Sequence, residues 1–364
     1  MILERYIQKE ILAKLGWIFA ILLAILVSDR FVEYLADAAA GELPPNLILQ
    51  MLTMKMLSQF PKLLPIALLL GVVLALARMT QDRELTVLSG AGVPEGYKIK
   101  SILKFSGMYA VPVFAISFYL APWADGKVLE LASRAEIESD ITGIAAGQFR
   151  EFSKGDMVVY VEKMASIDEA IQNVFLQARQ DNQLGVLNSA SARLIVKPET
   201  GSRYAVFNNG NRYIGEPGSV DYQITLYRKY AVLLEQGVRS GAGGRVEAMP
   251  TSVLLGSDQL IYQAELHWRL SFIIATILLP LFAFGINRYA TRDSRYAPFF
   301  VCILVYLIYS NLLGLSKTLM QRGDIPAYVG LWWVHLMLLI VVILLLNYPA
   351  LRSWYMRRLR HSRQ

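Results

Sequence analysis

The 364-residue chain is 55% hydrophobic and only 18% charged, with a mean hydropathy of +0.39. A water-soluble chain usually carries about 25% charged residues, so a wholly soluble protein is excluded and part of the chain is expected in lipid. The net charge of +7 is uneven: residues 124–265 hold 14 Lys and Arg against 18 Asp and Glu, leaving 22 against 11 in the apolar remainder. That pattern fits basic loops on one side of a membrane better than a nucleic-acid surface.

The first apolar run, KLGWIFAILLAILVSDRFVEYL, has 14 uncharged residues between Lys14 and Asp29, short of the roughly 20 that a membrane helix needs. At about 100° per residue, Asp29, Arg30 and Glu33 share one face while Phe31 and Leu35 lie opposite. The helix is therefore expected to continue past Asp29 with a polar face turned to another helix or to a polar ligand, because charge facing lipid is costly. Ala36-Asp37-Ala38 resembles a signal-peptide cleavage site. Glu4 and Glu10 ahead of the run, and the span count below, favour a retained helix that begins with the interfacial stretch MILERYIQKEIL.

A second run covers residues 52–79, with Pro61 and Pro65 expected to bend it. Next comes TQDRELTVLSGAGVPEGYKIK. Here Glu84, Leu85, Val87 and Leu88, preceded by Arg83, make a short amphipathic helix within about 81–92 that stops at Gly90 or Gly92. Such a knob suits a groove on a partner protein. The third span is 105–124.

Residues 124–265 change character. GKVLELASRAEIESDI reads as a short helix. After it the period becomes two: in SASARLIVK, Ala190, Ala192, Leu194 and Val196 are expected on one face, with Ser191, Arg193 and Lys197 on the other. DMVVYV, NVFLQA, RYAVFNNGNRYIG and VDYQITLYRKYAVLL behave alike, with turns expected at Asn209-Gly210, Pro198 to Gly201 and Glu216-Pro217-Gly218. Short strands so spaced predict a sandwich or jelly roll. GVRSGAGGR, 237–245, lacks the strand-then-helix setting of a phosphate loop and reads as a flexible connection.

Three further apolar runs, 270–287, 296–316 and 325–351, bring the count to six. Basic residues in the short flanks (Arg5, Lys9, Lys14; Arg78, Arg83, Lys98, Lys100, Lys104; Arg288, Arg292, Arg295; the tail RSWYMRRLRHSRQ) place both termini in the cytoplasm. Trp332 and Trp333 then fall near the outer interface, and Tyr348, Trp354 and Tyr355 near the inner one. The expected fold is a polytopic α-helical membrane protein of six transmembrane helices with an inserted extracytoplasmic all-β, jelly-roll-like domain. Its divisions are 1–123, 124–265 and 266–364.

Functional signals are few. No GxxxxGK[ST], HExxH, GxSxG or CxxC occurs, His267, His335 and His361 are scattered, and the single Cys302 excludes an intrachain disulfide and reads as packing. Ser316-Lys317 are helix neighbours pointing about 100° apart, a poor nucleophile–base pair. Catalysis by this chain is therefore not expected. Arg30, Glu33, Lys62, Lys317 and Arg322 gather at the outer ends of spans one, two and five, a candidate ring for an anionic lipid headgroup. A membrane-anchored sensor or scaffold whose β-domain binds a ligand is the competing reading, and an intramembrane hydrolase a third; six spans without a cytosolic output domain or a mid-membrane nucleophile–base pair count against both.

MILERYIQKE, RELTVLSGAGV after span two, the strand-rich insert, and GDIPAYVGLWWVH before span six together resemble the LptF/LptG family of lipopolysaccharide-export permeases, and more its F branch. The likeness covers nearly the whole chain. It departs at Ser89, where the family often has arginine, and at Pro94, where serine is common. The lysines expected on the first helix of the G branch are replaced here by Asp29, Arg30 and Glu33. The resemblance implies half of an ABC transporter in the inner membrane of a Gram-negative bacterium, serving outer-membrane biogenesis. The implied partners are the LptG permease, a cytosolic ATPase dimer (LptB) that uses ATP and Mg, and the periplasmic jelly-roll proteins LptC and LptA; no nucleic acid and no cofactor held by this chain are implied. Arg83, Glu84, Leu85, Val87, Leu88 and Gly90 would form the ATPase-coupling helix, and lipopolysaccharide would enter from the outer leaflet.

Overall fold

The structure is a computed structural model that describes residues 2–40, 43–142, 149–152, 157–163, 171–180, 183–196, 203–215, 223–235, 246–289 and 296–361. In chain order they form α1 (Ile2–Ala39), α2 (Pro45–Gln81), α3 (Glu84–Gly90), α4 (Glu95–Ala115), a π-helical segment (Ile116–Leu120) and α5 (Ala121–Thr142). Strands β1 (Phe149–Phe152), β2 (Met157–Lys163), β3 (Ile171–Gln180), β4 (Gln183–Val196), β5 (Arg203–Ile214) and β6 (Gln223–Glu235) follow. The chain closes with α6 (Thr251–Leu255), α7 (Leu260–Asn287), α8 (Ala297–Arg322) and α9 (Trp332–His361). Two compact units result: Met1–Phe31, Leu52–Lys127 and Val246–Gln364 make one; Val32–Met51 and Val128–Arg245 make the other.

Among the described residues, five helical stretches are long and apolar enough to cross a membrane: Ile2–Ala39, Pro45–Gln81, Glu95–Ala135, Leu260–Asn287 and Ala297–Arg322. The sixth expected span falls on the head of α9, where the apolar stretch Trp332–Asn347 is shorter. The helix expected at 126–141 is not separate: it is the continuation of span three through the π-helical segment into α5. The interfacial stretch at the N-terminus is likewise the first three turns of an unbroken α1. α2 runs through both Pro61 and Pro65 as one helix.

The helical unit packs around α2, whose Ala67, Leu68, Leu69, Val72, Val73 and Met79 are fully buried. α1 lays Ile7, Ile11, Leu15 and Ile18 into this core at helical spacing. Gly71 permits the approach, since a Cβ there would sit 3.2 Å from the Leu15 Cα. α7 supplies Leu279, Phe282 and Ala283, α8 Cys302, Tyr309 and Met320, and α9 Val334, Leu338 and Val342. The opposite faces stay apolar and exposed, among them Ile21, Ile25, Leu304, Leu307, Ile340 and Leu344. A helix apolar all round belongs in hydrocarbon.

The strands form one antiparallel sheet in the order β1-β2-β3-β4-β5-β6. This is a meander; the Greek-key crossings of a jelly roll do not occur among the described strands. Val174, Leu176, Leu187, Ala192, Ala205 and Phe207 make its buried face, with Tyr227, Tyr230 and Val232 packed against it. Simple alternation fails midway. On β4, Leu187 and Ser189 are buried, then Ala190 is exposed and Ser191 half-buried, and Ala192 is buried again. Two adjacent exposed residues also occur at Gln172-Asn173 on β3 and at Arg228-Lys229 on β6. The register sets Asn173, Ala190, Asn209 and Arg228 in one row across four strands.

Ala190 therefore faces away from Ala192, against expectation. Asn209-Gly210 is no turn between strands: it lies inside the continuous β5. Asn173 and Asn209 both take left-handed backbone, φ 51° and 53°, which asparagine tolerates better than most residues. A Cβ at Gly210 would overlap the Asn188 carbonyl and the Tyr227 hydroxyl. The pair that signals a hairpin here creases a sheet. The turns expected at 198–201 and 216–218 and the glycine-rich 237–245 lie outside the described residues.

Candidate functional site

Two charged clusters stand on the helical unit, one around Lys62 and one around Arg78. Sixteen residues of α2 separate them, about 24 Å at 1.5 Å per residue.

The first centres on Arg269 of α7. Its guanidinium is almost fully buried and meets five acceptors: Glu265 Oε1 (3.1 Å), Thr251 Oγ1 (2.7 Å), and the carbonyls of Val246 (3.4 Å), Glu247 (3.0 Å) and Met249 (3.0 Å). The planar fork of arginine suits such multiple capture. Lys317 of α8 donates to Glu265 Oε2 (2.8 Å) and Glu247 Oε1 (3.3 Å) and lies 5.0 Å from the Trp268 ring centre. The π-helical segment joins the cluster twice: Thr251 donates to the Phe118 carbonyl at 2.6 Å, and the Ser117 hydroxyl donates to the Arg269 carbonyl at 3.1 Å. Widened π turns free such groups and recur at functional positions. Ser58, Lys62, Asp125, Glu247, Glu265 and Arg269 line a recess of about 40 Å³. That is room for a few waters and too small for a sugar.

The second cluster surrounds Arg78 near the end of α2. Nη1 donates to Asp82 Oδ2 (2.9 Å), Nη2 to the Tyr6 hydroxyl (2.9 Å) and lies 3.2 Å from Glu84 Oε1. Nε stands 2.7 Å from Glu10 Oε1, an ion contact off the N–H direction rather than a hydrogen bond. Tyr6 in turn donates to Glu84 Oε2 at 2.7 Å. α3 begins after Arg83 in left-handed backbone, φ 59°. It ends with Gly92 at φ 82°, where Val93 N–H reaches the Leu88 carbonyl and Gly92 N–H the Ser89 carbonyl, the Schellman pattern. Leu85 and Leu88 pack on the core, while Thr86, Val87, Ser89 and Gly90 face outward. The buried Lys98 of α4 donates to Ser89 Oγ at 2.8 Å. Glu95 pairs with Arg288, and Asn287 donates to Thr80 at 3.1 Å, so five helices are stitched together at this end.

Of the rim residues expected from sequence, Lys62 and Lys317 do meet around Glu247 and Glu265. Lys62 is exposed, whereas Lys317 is largely buried and committed to two carboxylates. Arg322 is exposed in the last turn of α8, before the left-handed Gly323. Arg30 Nε lies 3.7 Å from Asp29 Oδ2, and Glu33 is exposed in the second unit. Sequence reasoning missed Arg269, Glu265, Glu247, Thr251 and Asp125. The i,i+4 spacing of Glu265 and Arg269 at the start of an apolar run was the available signal. It also missed the Arg78 hub and the buried His335, which links the Tyr309 hydroxyl (2.8 Å) to Ser271 (3.0 Å). Ser316 donates to the Gly330 carbonyl (2.7 Å) and receives the Trp333 indole (2.9 Å), a helix-packing role.

Membrane-length apolar helices carrying a charged cluster near each end define a polytopic integral membrane protein. The family described as "Lipopolysaccharide export system permease LptF/LptG" matches residues 5–348, and the chain belongs to that family. It is therefore a multi-pass inner-membrane permease component of lipopolysaccharide export, itself not catalytic. It is similar to the lipopolysaccharide export system permease protein LptF of Escherichia coli K12 and to that of Shigella flexneri. Each is 24% identical over 364 residues, covering 100% of this chain and 98% of the relative.

Proposed function

We propose that the chain is one permease half of an ATP-driven transporter that takes lipopolysaccharide from the outer leaflet of the inner membrane and passes it to a periplasmic bridge. A homologous LptG-type permease completes the translocation path, and a cytosolic LptB-type ATPase dimer supplies the work. LptC- and LptA-type jelly-roll proteins receive the lipid from the β-unit, a six-stranded antiparallel meander. Both termini and α3 face the cytoplasm, and the Lys62 end of α2 faces the periplasm.

The observation that carries this reading is α3: a seven-residue helix between two membrane-length helices, capped at its C-terminal end, with Val87 67% exposed on its outer face. An apolar side chain so presented, over an anchored Leu85–Leu88 face, matches helix-in-groove recognition. At the other end, Lys62 and Arg322 stay available for phosphate, while Lys317 and Arg269 shape the wall behind Lys62.

Gentle extraction of tagged chain is expected to bring down an ATPase, and the reconstituted complex to release lipopolysaccharide only with ATP. Val87→Asp is expected to lose most of the co-purified ATPase while the permease remains folded. A purified chain that releases lipid without a nucleotide-consuming partner, or termini found on opposite faces of the bilayer, would overturn the reading.

A further inference from the structure

We propose that the crease across β3–β6 is a binding groove for an anionic oligosaccharide, the sugar portion of the exported lipid. The proposal rests on the transport reading for the source of that sugar; the chemistry of the groove is the β-unit's own. The ladders pair the residues on either side of the crease and skip the row itself: Asn173–Ala190, Ala190–Asn209 and Asn209–Arg228 are not registered pairs. Along this interruption runs a groove of about 700 Å³, lined by Asn188, Asn209, Asn211, Leu226, Tyr227 and Arg228 among others. That volume falls within the range of about 300–1,000 Å³ usual for small-molecule sites. Two of its asparagines, Asn173 and Asn209, hold left-handed backbone at φ 51° and 53°, and strained backbone of this kind gathers at ligand sites.

The lining selects the ligand. Among the described residues it holds no carboxylate, imidazole or thiol, which argues against a cation. The side chains of Asn188, Asn209 and Arg228, on three successive strands, engage no partner among the described residues; only the backbone carbonyl of Asn188 is taken, by the Tyr227 hydroxyl at 3.0 Å. A side-chain amide both donates and accepts, as a sugar hydroxyl does, and a guanidinium takes a phosphate or carboxylate through two parallel bonds. Leu226, 80% exposed at the groove, offers contact to the C–H face of a sugar ring. A peptide added as a strand needs a sheet edge, whereas β3, β4 and β5 each have a neighbour on both sides. An acyl chain would bury three asparagines and an arginine without partners, a costly exchange.

The test titrates the full chain in detergent with three probes: oligosaccharide cleaved from lipopolysaccharide with its phosphates kept, the same oligosaccharide dephosphorylated, and inorganic phosphate. The first is expected to bind most tightly. Asn209→Gly keeps the left-handed backbone, which glycine adopts freely, and removes only the amide; binding should weaken about three- to ten-fold with the thermal midpoint unchanged. Asn188→Ala should behave alike and decides the matter if Asn209→Gly loosens the sheet. Arg228→Gln should lose about ten-fold and with it the preference for the phosphorylated probe. In the exporting complex, a photoreactive residue at 209 is expected to label lipopolysaccharide only while ATP is supplied. A parent chain that ignores the oligosaccharide, variants that all bind like the parent, or inorganic phosphate binding as tightly as the sugar would overturn the proposal. Label at 209 on free glycan but never on the lipid would overturn the assignment to cargo. Oligosaccharide bound by a chain that exports no lipid removes the transport reading and leaves the groove; export by a chain that binds no oligosaccharide removes the groove alone.

Discussion

Arg269 shows how a charge is kept at the rim of a membrane. Each nitrogen of its guanidinium finds an oxygen, Nη2 the backbone carbonyls of the segment 246–249, so none of the three is left without a partner. Breaking such a buried pair from one side leaves the other charge uncompensated. Arg269→Met would abandon Glu265, which is 5% exposed, leaving it only Lys317. The expected loss is about 3–5 kcal/mol, seen as a lowered thermal midpoint in detergent and as new protease cleavage between residues 246 and 251. Lysine at this position cannot reach five acceptors and should recover only part.

Among the elements, α3 teaches most about what sequence can give. Its existence as a short helix and its stop near Gly90 to Gly92 were legible, because a short helix announces itself through spacing and glycine; that Leu85 and Leu88 turn inward while Val87 turns out was not. The direction of Glu84 was not, because it depends on Arg78 and Tyr6, six and 78 residues away. Arg83 precedes the helix at φ 59°, a conformation costing a side-chain-bearing residue about 1–2 kcal/mol. Arg83→Gly should therefore preserve α3, leave ATPase retention and lipid delivery near the parent level, and stabilise slightly. A lost ATPase in that variant would show that the Arg83 side chain itself docks. In the strands the opposite failure occurred. Asn209-Gly210 carries the strongest short-range hairpin signal, yet β5 passes straight through it. The backbone preference was read correctly and its use was not, because only pairing with β4 and β6 on both sides shows that the strand continues.

For the whole molecule, apolar runs and basic flanks were enough to expect a polytopic frame, since membrane helices must satisfy their backbone internally and so announce themselves by length. Which faces pack was hidden, because helices apolar on every side carry no stripe. The charges at the helix ends could be read from sequence as single residues but not as pairs. Lys62 and Lys317 looked equivalent in sequence; in the fold one is exposed and the other is enclosed by Glu247 and Glu265. A photoreactive residue at 62 in the reconstituted complex should label lipopolysaccharide in transit, and one at 317 should label protein. Equal lipid labelling from both positions would mean that the acidic enclosure opens during transport.

The row Asn173, Ala190, Asn209 and Arg228 carries a constraint on how the sheet can change over time. β4 and β6 shift their inward-facing parity at this line, so a residue gained or lost on one side of it would throw one strand out of step with its neighbours. A viable length change there would need matching changes in adjacent strands at once, whereas the strand ends face no such demand. Descendants of this chain should therefore vary freely in the connections between strands and hold the distance from crease to crease fixed.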